Sequence, residues 1–440
     1  MSQSLTAPAA PAAEISAYIA DATKKAWDVI GLPAGVKTRE IKSVGIIGAG
    51  TMGGGISMNF ATVGVPVKIV EVQQAALDRG LGVIRKNYQN SADKGRFPQE
   101  EVGERMGRIT GSLDRKDLAD CDLVIEAVFE DMGVKKEIFA DLDRICKPGA
   151  ILASNTSALD INEIASVVKR PQDVIGLHFF SPANVMKLLE IVRAKKTADD
   201  VVATSMELAK KINKVAVLAG VCPGFIGNRI LYRRGQPAAH LLKAGAMPWD
   251  IDAAFNAFGF KMGPYQMSDL AGLDIGWKPG AKTANPLRDM ILERTPRRGQ
   301  KTGAGYYDYD EKRVGKPSPE VAAIVKEFAE QSGVAQRKVS QEEILEECVF
   351  PMINEGAAIL EEGMAQRASD IDVTWLNGYG WPADKGGPMF LGDHVGLKRV
   401  LDVVERVSKD VPDIKVSKLL RDMAGDGRKF ADLEPQKLTV

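Results

Sequence analysis

Gly48-Ala49-Gly50-Thr51-Met52-Gly53 stands directly after the short apolar run Val44-Gly45-Ile46-Ile47 and before a stretch of helical character. That order constrains the chain more than any other feature. In a strand–loop–helix setting the first glycine permits a tight turn, the second lets a pyrophosphate approach the backbone, and the third lets the helix pack on the sheet; the helix N-terminus then faces the phosphates. Alone the fingerprint is weak, because a Gly-rich turn that merely packs a helix reads the same way. Here Val67-Lys68-Ile69-Val70 supplies a second strand ending at Glu71, 21 residues beyond Gly50, the spacing of the acid that binds the adenosine ribose hydroxyls. We expect a dinucleotide site built from Gly48, Gly50, Thr51, Met52, Gly53 and Glu71. A carboxylate there repels a 2′-phosphate, and Val72 and Gln73 offer no compensating cation, so NAD is expected rather than NADP.

Composition sets the limits around that site. At 440 residues, 45% hydrophobic and 26% charged, the chain can bury a full core in about two or three domains. The 58 Lys and Arg cancel the 58 Asp and Glu, so no broad basic field exists for a nucleic-acid backbone or an acidic membrane. Neither partner is expected. Cys121, Cys146, Cys222 and Cys348 lie at least 25 positions apart without a CxxC pair, which suits a reducing compartment and argues against a structural metal. Residues Met1 to Ile15 carry no Lys or Arg and no apolar h-region, no run of about 18 apolar residues occurs, and the last residues are not the Ser-Lys-Leu address. A cytoplasmic location is the resulting expectation.

From Lys42 short apolar runs alternate with charged helical stretches, the texture of βαβ units and a mostly parallel sheet. Strands are predicted at Val44–Ile47, Val67–Val70, Leu123–Ala127, Ala150–Ala153, Val174–Leu177, Lys187–Val192 and Val215–Leu218, with a helical hairpin inserted between about Gln73 and Arg108. After Cys222-Pro223-Gly224 helical periodicity takes over. The text there repeats: Leu241-Leu242-Lys243-Ala244-Gly245 and Asp250-Ile251-Asp252 recur as Leu360-Glu361-Glu362-Gly363 and Asp370-Ile371-Asp372, at offsets of 118 and 120 residues. The expected architecture is an α/β Rossmann-type dinucleotide-binding domain followed by an all-α C-terminal domain made of two tandem related helical units. We divide it as an N-terminal tail and linker helix (1–40), the NAD-binding domain (41–221), and helical units at 222–335 and 336–440.

Histidine is scarce, and a base that titrates near neutral pH is the natural proton acceptor when an alcohol is oxidised by hydride transfer. Of His178, His240 and His394, only His178 ends an apolar strand, on the edge where open α/β sheets hold their ligands. The other two read as packing or surface residues. Glu190 sits inside Leu188-Leu189-Glu190-Ile191-Val192, where a buried carboxylate needs a partner. Either it pairs with an imidazole and stabilises the imidazolium, or it points to solvent on the strand's polar face. Ser154-Asn155-Thr156-Ser157 follows another strand end, where Ser157 reads equally as a helix cap, and Asn228 opens the helical region.

Gly176-Leu177-His178-Phe179-Phe180-Ser181-Pro182 with Val185-Met186-Lys187-Leu188-Leu189-Glu190, then Pro223-Gly224-Phe225-Ile226-Gly227-Asn228-Arg229, Ser268-Asp269-Leu270-Ala271-Gly272-Leu273-Asp274 and Lys301-Thr302-Gly303-Ala304-Gly305, resemble the blocks of the 3-hydroxyacyl-CoA dehydrogenase family. The likeness is nearest to the dehydrogenase half of the peroxisomal multifunctional β-oxidation enzymes, which carry a tandem helical repeat and a block similar to Gly378-Tyr379-Gly380-Trp381-Pro382. The resemblance implies NAD-dependent oxidation of (S)-3-hydroxyacyl-CoA. It makes His178 the general base and Glu190 its orienting partner, with Ser157 and Asn228 on the substrate oxygen at C3. It sets Glu130, Lys135, Asn155, Ser181 and Lys301 at the coenzyme and Lys94 at the CoA phosphates.

Ser181 stands where many short family members have Asn, so any hydrogen bond from that residue to the nicotinamide amide is expected to be altered or lost. Only about 40 residues precede the fingerprint, less than the hydratase part of the multifunctional enzymes needs, so no hydratase activity is expected. Where one-copy relatives pair helical domains between subunits, the tandem repeat can meet that contact within one chain, so a monomer with an internal pseudo-dimer is expected. A dehydrogenase of non-thioester hydroxy acids and a non-catalytic dinucleotide-binding scaffold are the alternatives.

Overall fold

The computed structural model describes residues 4–280 and 282–440. Residues 1–3 of the expected tail lie outside that range. The chain forms two compact units, each assembled from segments distant in sequence: Ile19–Arg229, Ile359–Tyr379 and Leu433–Val440 make one, and Met1–Tyr18, Ile230–Ala358 and Gly380–Asp432 the other.

The first unit is built on eight strands, β1 (Val44–Ile47), β2 (Val67–Val70), β3 (Ile109–Ser112), β4 (Leu123–Glu126), β5 (Ile151–Ser154), β6 (Val174–Phe179), β7 (Leu188–Arg193) and β8 (Val215–Gly220), in the order β3-β2-β1-β4-β5-β6-β7-β8. Every residue of β1, β4, β5 and β6 is buried, which is why these strands read as unbroken apolar runs rather than alternating ones. The first six strands follow the doubly wound nucleotide-binding order, with their crevice at the carboxyl ends beside β1. One pairing breaks the parallel pattern: β6 and β7 run antiparallel. Edge strand β3 escapes sequence reading because Ile-Thr-Gly-Ser buries only Ile109.

Helix α1 (Ala12–Lys25) precedes the sheet, α2 (Thr51–Thr62) follows the glycine loop, and α3 (Gln74–Asp93) with α4 (Glu100–Gly107) forms the inserted hairpin. Leu77, Ile84 and Tyr88 on one face of α3 join the core, and the Tyr88 ring meets Phe97 edge-on at 6.2 Å. Helices α5 (Met132–Ile145), α6 (Ile161–Ala165) and α7 (Asp199–Lys211) complete the layers. From the C-terminal region, Gly220 N donates to Met364 O at 2.9 Å and Ala219 bridges Ala365, so residues well beyond the glycine-fingerprint region extend this unit.

The helical elements are α8 (Gly227–Lys243), α9 (Pro248–Phe258), α10 (Pro264–Ala271), α11 (Pro286–Arg294), α12 (Pro319–Gln331), α13 (Gln341–Glu361), α14 (Ala368–Gly378), α15 (Pro388–Val395), α16 (Leu397–Asp410) and α17 (Lys418–Gly425). Helices α8, α9 and α10 carry one copy of the repeat, and α13, α14 and α15 the other. Between the copies the expectation of helix alone is corrected, since β9 (Tyr307–Tyr309) and β10 (Gly315–Pro317) form a short antiparallel pair. Strand β9 is anchored by buried Asp269, which accepts hydrogen bonds from Tyr306 N, Tyr307 N and the Tyr309 hydroxyl at 2.8, 3.0 and 2.8 Å. Within the second unit the copies pack on each other, with Trp381 edge-on to Phe258 and Phe260 at 5.4 and 5.6 Å. Ala9 and Tyr18 contact the same unit: Ala9 N donates to Asp384 O at 2.9 Å, and Tyr18 meets Phe390 at 4.4 Å. Among the described residues no helix is long and apolar enough to cross a membrane, and no group of three or more His, Cys, Asp or Glu is placed to hold a metal ion.

Candidate active site

The glycine loop has the geometry that a dinucleotide needs. Gly48 adopts φ +102°, open to glycine, and a Cβ on Gly53 would lie 1.9 Å from Gly48 O, so only hydrogen lets α2 close on β1. At Gly50 nothing lies within 4 Å of the Cβ position, which leaves the backbone over the α2 N-terminus open to a phosphate. Thr51 is exposed and Met52 half-buried beside it. Glu71, directly after β2, turns back to the loop: its carboxylate accepts from Ala49 N at 3.0 Å and Val72 N at 2.7 Å. A cavity of about 220 Å³ adjoins the loop, lined among others by Gly50, Thr51, Arg79, Asn87, Pro182 and Asn184. These residues fit NAD: a cradle that any side chain would fill, with a carboxylate at the ribose position.

Beyond β4 lies a second polar cluster. Lys135, 1% exposed, holds Glu126 Oε1 at 2.7 Å and Glu130 Oε2 at 3.3 Å. Glu126 also accepts from the Ser154 hydroxyl at 2.7 Å, so both of its carboxylate oxygens are engaged. Burial alone would raise the Glu130 carboxyl, but hydrogen bonds from Thr156 and Ser157 and the nearby Lys135 ammonium outweigh it and hold the group below the ordinary glutamate value. The Ser157 hydroxyl donates to Glu130 at 3.1 Å. Asn155 ties β5 to β6 by accepting Phe179 N at 2.9 Å.

His178 and Glu190 are direct cross-strand partners in the β6–β7 pair, which puts both side chains on one face. Nδ1 of His178 lies 2.7 Å from Glu190 Oε2, with the two residues 4% and 0% exposed. The other carboxylate oxygen accepts Ile226 N at 3.2 Å and Gly227 N at 2.9 Å, at the start of α8. Those amides are aimed by the turn before them, where Gly224 and Phe225 both take positive φ, +78° and +51°. With Nδ1 engaged, Nε2 is the nitrogen left to meet a substrate. Phe180 and Phe225 flank the imidazole, with ring centroids at 4.3 and 5.7 Å.

Asn228 follows Gly227 directly. Its amide nitrogen donates to Ser157 O at 3.3 Å, and its oxygen accepts from the Tyr379 hydroxyl at 2.8 Å. The structure thus brings together His178, Glu190, Ser157 and Asn228, with Glu130 and Lys135 joined through Ser157. The remaining expected positions, and His394, which reads as a packing or surface residue, have these local surroundings. Lys94, just past α3, is exposed and does not line the cavity beside the glycine loop. Ser181 is exposed at a cis Ser181-Pro182 bond. Lys301 belongs to the other unit, where it pairs with Asp274 at 2.5 Å. His394 bonds Phe390 O at 2.8 Å and Glu14 at 3.2 Å. Sequence reasoning missed Tyr379 as a site residue: it lies 151 positions from Asn228, and no local pattern links the two.

Comparison with known proteins agrees with this geometry. The family model described as 3-hydroxyacyl-CoA dehydrogenase, NAD binding domain, matches residues 43–222, and that for the family's C-terminal domain matches 224–309 and again 344–431, one match per repeat. The peroxisomal bifunctional enzymes of Cavia porcellus and Homo sapiens are 43% and 41% identical over 93% of this chain, which spans 60% of their length. Among solved structures, 3-hydroxybutyryl-CoA dehydrogenase from Escherichia coli is similar at TM-score 0.74 and 27% identity, covering 88% of this chain and 99% of its own. The dehydrogenase part of multifunctional enzyme 1 from C. elegans is similar at TM-score 0.64 and 30% identity, covering 91% and 96%. The chain belongs to the 3-hydroxyacyl-CoA dehydrogenase family of NAD-dependent oxidoreductases.

Proposed function

We propose that the chain interconverts (S)-3-hydroxyacyl-CoA and 3-oxoacyl-CoA thioesters in fatty-acid β-oxidation or a related acyl-CoA pathway. The observation that carries this reading is the buried His178–Glu190 pair at 2.7 Å, with the Ile226 and Gly227 amides on the carboxylate. When bound, NAD supplies the acceptor for the hydride that leaves C3. The glycine loop and Glu71 would hold it. His178 Nε2 takes the hydroxyl proton, so the ring becomes an imidazolium; Glu190, fixed by Ile226 and Gly227, is already in place to share that charge. Asn228 and Ser157 donate to the C3 oxygen, and each such donor contributes about 100-fold or more to the rate. The reverse reaction uses the same groups, with His178 as acid. Ser157 has a second task here, because its hydroxyl meets Glu130 until a substrate oxygen competes for it.

The CoA thioester is the expected substrate, with Lys94 proposed at its phosphates and Asn155, Ser181 and Lys301 at the coenzyme. Packing of Trp381 on Phe258 and Phe260 supports the further proposal that one chain suffices, as a monomer holding both repeat copies. Sedimentation equilibrium tests it. Sequence reading favours the cytoplasm whereas the relatives are named peroxisomal, and cell fractionation decides between them.

The function is tested by following NADH absorbance with acetoacetyl-CoA and with free acetoacetate. Turnover of the thioester alone is expected. Comparable turnover of the free acid overturns the thioester assignment, and tight NAD binding with no turnover of either overturns the enzyme in favour of a scaffold.

A further inference from the structure

Tyr379, contributed by the second repeat copy, touches the site described above through the Asn228 amide. It follows the last residue of α14, a helix whose C-terminal Gly378 packs so closely on β7 that a Cβ there would lie 2.4 Å from the Leu188 side chain. The phenol ring stacks on buried Trp375 at 4.4 Å and meets the edge of Phe180 at 5.4 Å, and Phe180 in turn lies against His178. Beneath the ring, Gly227 has no side chain; a Cβ there would come within 2.3 Å of the ring and 2.5 Å of its hydroxyl. Three neighbours, Trp375, Phe180 and Gly227, therefore fix the phenol, and its hydroxyl falls 2.8 Å from Asn228 Oδ1.

An asparagine amide has two ends, and a half-turn exchanges donor for acceptor. Ser157 O, 3.3 Å from the amide nitrogen, can only accept, so it favours nitrogen on its side. The Tyr379 hydroxyl occupies the other end and donates to the oxygen. Together they hold the amide with its N–H groups on the Ser157 side, where a substrate oxygen is to be met. Without the phenol hydroxyl the oxygen loses its donor, and of the two contacts only the 3.3 Å bond to Ser157 O still holds the amide.

We infer that Tyr379 is a positioning residue for the dehydrogenase reaction, which orients the Asn228 amide as hydrogen-bond donor to the C3 oxygen. The inference rests on the reaction assigned above. It also gives the second repeat copy a part in the chemistry as well as in packing.

The test is a double-mutant cycle of Tyr379→Phe and Asn228→Ala, with kcat and KM measured for acetoacetyl-CoA and NADH. Tyr379→Phe keeps the ring and its packing and removes only the donor. It should lower kcat by about tenfold, with KM for NADH changed by less than about twofold. In the Asn228→Ala background the same change should have almost no further effect, because the group through which Tyr379 acts is gone. A second variant, Gly227→Ala, displaces the ring by steric contact and should also lower kcat by about tenfold or more. Full activity of Tyr379→Phe, or losses that multiply independently in the double variant, overturns the inference while leaving the reaction intact. A wild-type chain inactive on acetoacetyl-CoA overturns the assigned reaction and the inference with it.

Discussion

Glu190 Oε2 lies 2.7 Å from His178 Nδ1 across an antiparallel strand pair, and the same carboxylate accepts two backbone N–H groups from the first residues of the α8 region. The carboxylate is thus held by the scaffold before any substrate arrives. Glu190→Gln keeps the shape and removes the charge that the imidazolium needs. We expect kcat to fall by about 10²- to 10⁴-fold, with KM for NADH changed by less than about threefold. Steady-state kinetics checks this, and a fall in coenzyme affinity that accounts for the whole loss would contradict it.

Glu71 should govern coenzyme choice. It follows β2 directly and its carboxylate accepts Ala49 N at 3.0 Å, so it shapes the glycine loop at the expected ribose position. Glu71→Ala should raise KM for NADH by about tenfold or more, as expected for losing hydrogen bonds to a charged group, and should narrow the preference over NADPH. An unchanged NADH to NADPH ratio of kcat/KM would show that specificity lies elsewhere.

Gly53 offers a test of the loop geometry itself. Because a Cβ would stand 1.9 Å from Gly48 O, Gly53→Ala must push α2 away from β1. Destabilisation of about 2–4 kcal/mol is expected, together with loss of NADH binding measured by fluorescence titration. Gly50→Ala meets no atom of the protein within 4 Å, so it should leave stability nearly unchanged and weaken NADH alone.

Asp370 should make stability depend on pH. Burial, only partly offset by Arg367, raises its carboxyl from 3.8 to about 7, and its Oδ1 has no hydrogen-bond partner. A folded value above the unfolded one favours the folded chain below about pH 4, and that contribution is lost as pH rises through about 7. The swing is on the order of 4 kcal/mol. Asp370→Asn cannot titrate, so its urea midpoint relative to wild type should improve steadily between pH 4 and pH 8. A constant offset would mean that the carboxyl titrates normally.

Much of the nucleotide-binding half was legible because parallel strands buried on both faces write themselves as apolar runs, and Val44–Ile47 and Val67–Val70 match those expectations residue for residue. Glu190 was not decidable from sequence. Whether it faced His178 or solvent depended on pairing direction, and only the antiparallel register that sets His178 opposite Glu190 resolves it. The β9–β10 pair was hidden because its three-residue strands carry no period, and much of its anchoring comes from a distant aspartate. Tyr379 was visible as part of a block but not as a neighbour of Asn228, since that contact is purely tertiary.

The central claim is that His178 moves the proton of the C3 hydroxyl. Rapid-mixing measurement of NADH oxidation by acetoacetyl-CoA, comparing wild type with His178→Ala, tests it most directly. We expect the variant to bind NADH with nearly unchanged affinity and to lose about 10³-fold or more of the chemical step. A variant that oxidises NADH at the wild-type rate would contradict the account.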